Sequence, residues 1–150
     1  MTSTPISKQQ LAALLPHAEP MILLDCITGW DADNIQCTAT RHTQSDNPLR
    51  IEGVLSVFAG VEYAAQAMAA HARLCAPQQN APARGFIAVA SKLKALAQQL
   101  DESPGELHIN ARKLVQNNDS SLYEFCLSGP QGTILSGQIT AVINHDEPAL

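Results

Sequence analysis

One carboxylate lies within a run of small and apolar residues, where a carboxyl group could do chemistry. The run is GVEYAAQAMAAH at residues 60–71, and Gln66 follows Glu62 four positions later. Residues four apart share one face of a helix, so Gln66 can hold the carboxyl, contact a substrate or bond a buried backbone group. Desolvation would keep Glu62 neutral and able to donate a proton, whereas the first helical turn favours a carboxylate. Glu62 is therefore a candidate acid, with a helix-start carboxylate facing a loop as the alternative.

The elements that would position Glu62 follow from the spacing of apolar residues. SKQQLAALL predicts a short helix after a capping serine, ended by Pro16. MILLDCITGW and NIQCTATRH, separated by the turn DAD, predict a β-hairpin. The long helix that carries Glu62 is apolar on nearly every side, so we expect protein all around it. Its main stripe consists of Val54, Val57, Phe58, Val61, Ala65, Met68 and Ala72.

The second half of the chain predicts strands. A loop, CAPQQNAPARG, is followed by GFIAVASKLKALAQQL, GELHINARKLV, SLYEFCLSG and TILSGQITAVI, with turns at NNDSS and GPQG. Leu107, Ile109 and Ala111 alternate with polar residues, as in a half-buried strand. One buried helix among antiparallel strands predicts an α+β fold, a sheet around a helix, in a single domain over residues 1–150. A second protomer would close the open edges of such a sheet, so we expect a dimer.

Composition excludes several classes of protein. The chain is 45% hydrophobic and 15% charged, which is typical of a folded domain. Its net charge is −5, and its nine Lys and Arg residues form no basic run, so nothing indicates binding to nucleic acid. The first residues resemble no export signal, so we expect a cytoplasmic protein with reduced, mostly buried cysteines. Glu62 and Gln66 argue against membrane insertion of residues 53–70. His42, His108 and His145 lack metal-ligand spacing, so no metal site is expected.

Three segments together resemble a known family. LLPHAEPMILLDCITGWD, VEYAAQA and DESPGELHINARKL occur in the order found in hot-dog-fold 3-hydroxyacyl-ACP dehydratases, the FabA/FabZ-like enzymes. The similarity in layout spans about residues 10–145 and is closest to the ApeP-like branch, which is associated with aryl-polyene biosynthesis. The resemblance implies a hot-dog fold, in which a curved antiparallel sheet wraps one long central helix and dimerises through sheet edges.

The chain departs from the family at one catalytic position. The better-known enzymes carry a histidine in a His-Phe-Pro motif fourteen residues before the helix acid, whereas this chain has Pro48 there, preceded by Asn47. The family's LPH segment lies close to the active site, so His17 is the candidate base, with a loop-fixing histidine as the alternative. Asn47 could orient the thioester or form an ordinary turn. Tyr63 could line the pocket or pack in the core, and His71 at the far end of the helix is expected to be a structural cation.

The resemblance implies dehydration of 3-hydroxyacyl thioesters on acyl carrier protein, in a fatty-acid-like or aryl-polyene pathway. Glu62 and His17 would come from opposite protomers, and no cofactor is needed beyond the phosphopantetheine arm of the carrier. One alternative is a non-catalytic or half-site subunit that pairs with a complete dehydratase. Another is a thioesterase in which Glu62 activates water. Lys92 and Lys94, with Arg112 and Lys113, could dock the acidic carrier or form an ordinary solvated face.

Overall fold

The computed structural model describes residues 4–15, 17–76 and 87–142. Pro16, most of the loop CAPQQNAPARG and His145 lie outside the described residues, so the predictions about them stay predictions. The helices are α1 (Lys8–Ala12) and α2 (Gly60–Cys75), with short 3-10 helices at Arg41–Thr43, Val57–Ala59 and Leu100–Glu102. The strands are β1 (Cys26–Trp30), β2 (Asn34–Ala39), β3 (Ile87–Ala95), β4 (Leu107–Gln116), β5 (Ser120–Gly129) and β6 (Gly132–Val142).

The strands form one antiparallel sheet in the order β1-β2-β4-β5-β6-β3. The predicted hairpin is therefore confirmed as β1 and β2, although Met21–Leu24 lie outside the ladder. Side chains of β4 alternate between buried and exposed from Leu107 to Arg112, as predicted. The buried side faces α2, which packs against β4, β2 and β5. We call the opposite side the outer face of the sheet.

Local sequence signals explain where the first helix begins. The Ser7 hydroxyl accepts a hydrogen bond from the Gln10 backbone N–H, and the Gln10 side chain accepts one from the Ser7 N–H. This reciprocal pair satisfies two N–H groups that a helix start leaves without partners. Leu11 is then buried in the core. The short helix predicted after a capping serine is confirmed.

The central helix lies very close to the sheet at its first residue. A Cβ atom on Gly60 would lie 2.8 Å from a methyl carbon of Leu127 and 2.9 Å from one of Leu135. Only glycine fits this contact without a shift of the core. The helix buries Tyr63, Ala64, Ala67, Met68, Ala70 and His71.

The expectation that protein surrounds this helix on all sides is wrong for the single chain. Phe58, Glu62 and Ala72 are exposed, and Val61 and Ala69 are half-buried. These five residues recur at helical spacing and form one face, which we call the open face of α2. The sequence could not distinguish this face from the buried ones, because both consist of small and apolar residues.

Strand β3 contains a bulge that the alternation of Lys92, Leu93 and Lys94 did not predict. Ser91 pairs with Gln138 and Lys94 with Ser136, so Lys92 and Leu93 together oppose Gly137. Lys92 has a φ of +53°, and a Cβ on Gly137 would lie 2.7 Å from a methyl carbon of Leu93. Gly137 therefore makes room for Leu93, and the extra residue returns Lys94 to the row of Ser136.

The cysteines form no disulfide, but the expectation that they are mostly buried is wrong. Cys37 is buried, Cys26 and Cys126 are half-buried, and Cys75 is exposed. Burial places the pKa of the Cys37 thiol far above its usual range. Among the described residues, no helix combines the length and the apolar character needed to span a bilayer.

Candidate active site

His17 and Glu62 lie near each other within one chain. His17 is in the segment between α1 and β1, and Glu62 is in the first turn of α2. The Glu62 carboxylate is close enough to raise the pKa of His17 electrostatically, although burial outweighs it and the pKa is lowered overall. The expectation that opposite protomers supply these residues stays a prediction. A single chain brings the two groups together.

The environment of His17 favours a neutral imidazole. Desolvation is the larger effect on its pKa and places it below the ordinary value of about 6.5. Its Nδ1 atom is buried and has no hydrogen-bond partner in the described part of the chain. A neutral ring with an unengaged nitrogen can accept a proton, which is the chemistry of a general base.

Glu62 is not enclosed by its own chain. Its side chain is exposed on the open face of α2, beside Phe58 and Val61. The desolvation of Glu62 that an apolar tunnel would provide is thus not achieved by this chain alone, because its sheet covers the other faces of the helix. A tunnel would need walls from another subunit.

The side chain of Gln66 is fully occupied by backbone. It is buried, its Nε2 donates to the Met21 carbonyl, and its Oε1 accepts from the Leu23 N–H at 2.9 Å. These bonds are those expected if Gln66 serves to bond buried backbone groups, one of the three roles considered for it. They attach the segment that follows His17 to α2, one turn beyond Glu62.

Asn47 and Tyr63 contact each other. The amide nitrogen of Asn47 donates to the Tyr63 hydroxyl at 3.0 Å and to the Arg41 carbonyl at 3.1 Å, and its Oδ1 accepts from the Leu49 N–H at 2.9 Å. Both side chains are buried, and burial raises the pKa of Tyr63. These contacts fit turn formation and core packing, the alternatives to substrate binding. Substrate binding by Gln66, Asn47 and Tyr63 stays a prediction.

Sequence reasoning missed Arg41. Its Nη1 donates to the Ile22 carbonyl at 2.8 Å, to the Pro20 carbonyl at 3.3 Å and to the Glu19 carboxylate at 3.1 Å. Only 13% of its side chain is exposed. No sequence pattern indicates this role, because an arginine after a strand is ordinarily solvated.

His42 and His71 have structural partners. His42 is buried with Nε2 2.9 Å from the Ser103 carbonyl, and burial lowers its pKa. His71 lies between the Tyr123 hydroxyl and the Asp31 carbonyl, which is 2.8 Å from its Nε2. Burial also lowers the pKa of His71, so the expectation of a cation at this helix end is wrong. Desolvation outweighs the helix dipole there.

A groove of about 440 Å³ lies on the outer face of the sheet, and neither His17 nor Glu62 lines it. Its lining includes Lys92, Asn110, Gln138 and the Arg112–Glu124 ion pair, whose charged atoms are 2.8 Å apart. The groove lies across the sheet from α2. It is therefore separate from the His17–Glu62 site.

Comparison with protein families assigns the chain. A model of the ApeP-like family, described as ApeP dehydratase, matches residues 9–149. The chain belongs to the ApeP-like family. The match includes His17, Glu62 and Gln66 and confirms the resemblance inferred from the three segments. No match to the chain is found among curated proteins.

Solved structures support the hot-dog fold. A chain of the dehydratase heterocomplex ApeI:P from Xenorhabdus doucetiae is similar at 18% identity and a TM-score of 0.77, with 91% of each chain covered. AziG from S. sahachiroi is similar at 15% identity and a TM-score of 0.62. The similarity covers 87% of this chain and 97% of the AziG chain. A thioesterase from Haemophilus influenzae is similar at 14% identity and a TM-score of 0.58. The similarity covers 95% of this chain and 96% of the thioesterase chain. The predicted hot-dog fold is thus confirmed for this ApeP-like dehydratase chain.

Proposed function

We propose that this chain dehydrates 3-hydroxyacyl thioesters carried on acyl carrier protein, in a fatty-acid-like or aryl-polyene pathway. We further infer that residues 1–150 form one hot-dog domain. The observation that carries the proposal is the buried Nδ1 of His17, which has no hydrogen-bond partner among the described residues and belongs to a ring within electrostatic reach of the Glu62 carboxyl. Membership of the ApeP-like dehydratase family supports the reaction class.

The two groups have complementary roles in the elimination. His17 removes the proton from Cα, the C–H electrons form the Cα–Cβ double bond, and the Cβ–O bond breaks. Glu62 gives its proton to the departing hydroxyl, which leaves as water. The imidazolium of His17 then returns a proton to the Glu62 carboxylate and restores the starting state. Each correctly positioned group contributes roughly 10²–10⁴-fold to the rate.

A second subunit would complete the site. The open face of α2 exposes Phe58 and Glu62, edge strand β3 exposes Val89 and Leu93, and Leu96 is exposed just after that strand. A hot-dog partner packed there, as another copy or a different subunit, would exclude water from Glu62. The similar dehydratase from Xenorhabdus doucetiae is a heterocomplex, which supports such pairing.

The substrate carrier would approach the basic end of β3. The side chains of Lys92 and Lys94 are exposed and form no ion pair with described residues, unlike those of Arg41, Arg50 and Arg112. Acyl carrier proteins are acidic, so these lysines would steer association, while the substrate arrives on the phosphopantetheine arm. No further cofactor is required for the elimination.

A second candidate is a subunit that supports a complete dehydratase without turning over itself. It is favoured by the missing histidine, whose position is taken by Pro48, and by the preceding Asn47, whose polar atoms bond Tyr63, Arg41 and Leu49. In that case His17 and Glu62 would contribute nothing to the rate. The remaining alternative, a thioesterase, would hydrolyse the thioester and release a free acid.

The test is incubation of the purified protein with a 3-hydroxyacyl carrier protein, with and without a second hot-dog subunit. Mass spectrometry of the carrier separates loss of water from release of the acid. We expect the enoyl thioester, and we expect both His17→Asn and Glu62→Gln to abolish it while urea denaturation remains close to that of the wild type. Turnover retained in either variant would refute the catalytic pair, and a free acid would establish the thioesterase.

A further inference from the structure

The segment that carries His17 onto α2 is buried without belonging to the sheet. Ile22, Leu23 and Leu24 are buried, yet ladder pairing begins only where the Asp25 N–H donates to the Thr38 carbonyl. Buried backbone groups need hydrogen-bond partners. The Met21 N–H donates to the nearby Ala18 carbonyl, whereas the Leu23 N–H and the carbonyls of residues 20–22 find partners in two side chains of distant elements.

Gln66 and Arg41 bind alternate residues of this segment. Gln66 bonds the Met21 carbonyl and the Leu23 N–H, whereas Arg41 bonds the carbonyls of Pro20 and Ile22. Residues 18–21 form a turn and the segment is not a strand, so these side chains supply bonds that a neighbouring strand would supply in a sheet.

The position of this clamp relates it to the proposed site. Gln66 lies four residues after Glu62 on α2, about 6 Å along the helix axis. Met21 lies four residues after His17. Both groups of the pair thus lie four residues in sequence from the bond between Gln66 and Met21.

We propose that Arg41 and Gln66 are positioning residues that clamp residues 19–23 onto α2 and thereby hold His17 beside Glu62. The inference rests on the proposed pairing of His17 with Glu62. Neither side chain touches the reacting atoms, and each acts through the segment. Removing one leaves buried carbonyls or a buried N–H unpaired, so the segment is expected to move away from the helix.

Arg50 provides a matched control. Like Arg41 it is mostly buried, with 11% of its side chain exposed, and it also donates to backbone carbonyls, those of Gln44, Gly53 and His42. It pairs with the Asp101 carboxylate at 2.8 Å. It makes none of these bonds to residues 19–23, so its loss should destabilise the fold without releasing His17.

The experiment measures how strongly Glu62 influences His17. The pKa of His17 is followed by NMR of its Cε1–H, assigned with His17→Asn, before and after Glu62→Gln. We expect Glu62→Gln to change this pKa in the wild type, and the change to fall to roughly half or less in Arg41→Met and in Gln66→Leu. In Arg50→Met the full change should persist. An equal change in Arg41→Met, Arg50→Met and the wild type would overturn the proposal.

One further variant and an activity measurement complete the test. If Arg41→Met does not fold, Arg41→Gln keeps a polar amide on a side chain two atoms shorter, and the same reduced coupling is expected because the bonds made by Arg41 Nη1 are lost. Because the NMR readout needs no turnover, it remains decisive if the chain proves inactive. Loss of kcat in Arg41→Met with unchanged His17–Glu62 coupling would also overturn the clamp, while leaving the proposed reaction intact.

Discussion

At the scale of single residues, the chemistry depends on which side chains are unengaged. Gln66, Asn47 and Tyr63 have polar atoms that bond the protein itself, whereas the buried Nδ1 of His17 has no partner in the described part of the chain. Residue type alone could not separate these cases. The carboxyl of Glu62 was identified from an apolar helix, but its exposure follows from the packing of the sheet.

The pH dependence of turnover tests the role of His17 as a base. Its pKa lies below the ordinary value of about 6.5, so the ring is neutral and competent at pH 7. We expect kcat/KM for enoyl formation to stay constant from about pH 8 to below about pH 6.5, and to decrease at lower pH as the ring is protonated. A decrease that begins above about pH 7 would contradict a lowered pKa.

At the scale of elements, α2 is attached to the sheet near its C-terminal end by His71. The Asp31 carbonyl can only accept, so His71 Nε2 carries the proton and Nδ1 accepts from the Tyr123 hydroxyl. The rings of Trp30 and Tyr123 pack edge-on against the imidazole. The helix is thus held at one end by Gly60 and near the other by His71.

Two buried tyrosines provide a test of this attachment. Tyr123→Phe leaves the buried Nδ1 of His71 without its partner and should cost about 1–3 kcal/mol of unfolding free energy. Tyr63→Phe should cost less, because the Asn47 amide nitrogen loses the Tyr63 hydroxyl as an acceptor but still donates to the Arg41 carbonyl. Urea denaturation followed by circular dichroism gives both values. Equal costs would argue against the role assigned to His71.

The open face of α2 also makes a prediction about pairing. Phe58 is 52% exposed in the chain, and burial against a partner would make it a major contact. We expect Phe58→Ser to weaken pairing by at least about tenfold in Kd, as measured by sedimentation velocity on the wild-type assembly and the variant. Val115→Ser, at a residue 48% exposed near the end of β4, serves as the control. Equal weakening in both variants would exclude the open face as the interface.

At the scale of the whole molecule, buried histidines link stability to pH. His17, His42 and His71 all have pKa values lowered by burial. The unfolded chain binds protons near pH 6.5 while the folded chain does not, so stability is highest above that pH and decreases as the pH falls toward the lowered values. Urea denaturation at about pH 7.5 and about pH 5.5 should show a lower unfolding free energy at the acid pH. Equal values would indicate ordinary histidines.

The sequence predicted those features of the fold that depend on local pattern. The capping box of α1, the hairpin, the alternation in β4 and the turns around Asn117 and Pro130 follow from neighbouring residues. The clamp by Arg41 and Gln66 joins residues 19 to 45 positions apart, and no local pattern encodes such contacts. The open face of α2 and the bulge at Lys92 were missed for the same reason, since tertiary packing determines both.

Mixing two inactive variants tests most directly whether His17 and Glu62 act from the same chain. His17→Asn and Glu62→Gln chains are co-expressed at equal levels, and enoyl formation is compared with that of each variant and the wild type. Same-chain catalysis predicts no activity above that of the separate variants, because every site lacks one group. If opposite protomers supplied the groups, half of random pairs would be mixed and one of their two sites intact, restoring about a quarter of wild-type activity. Such recovery would contradict the His17–Glu62 site described above.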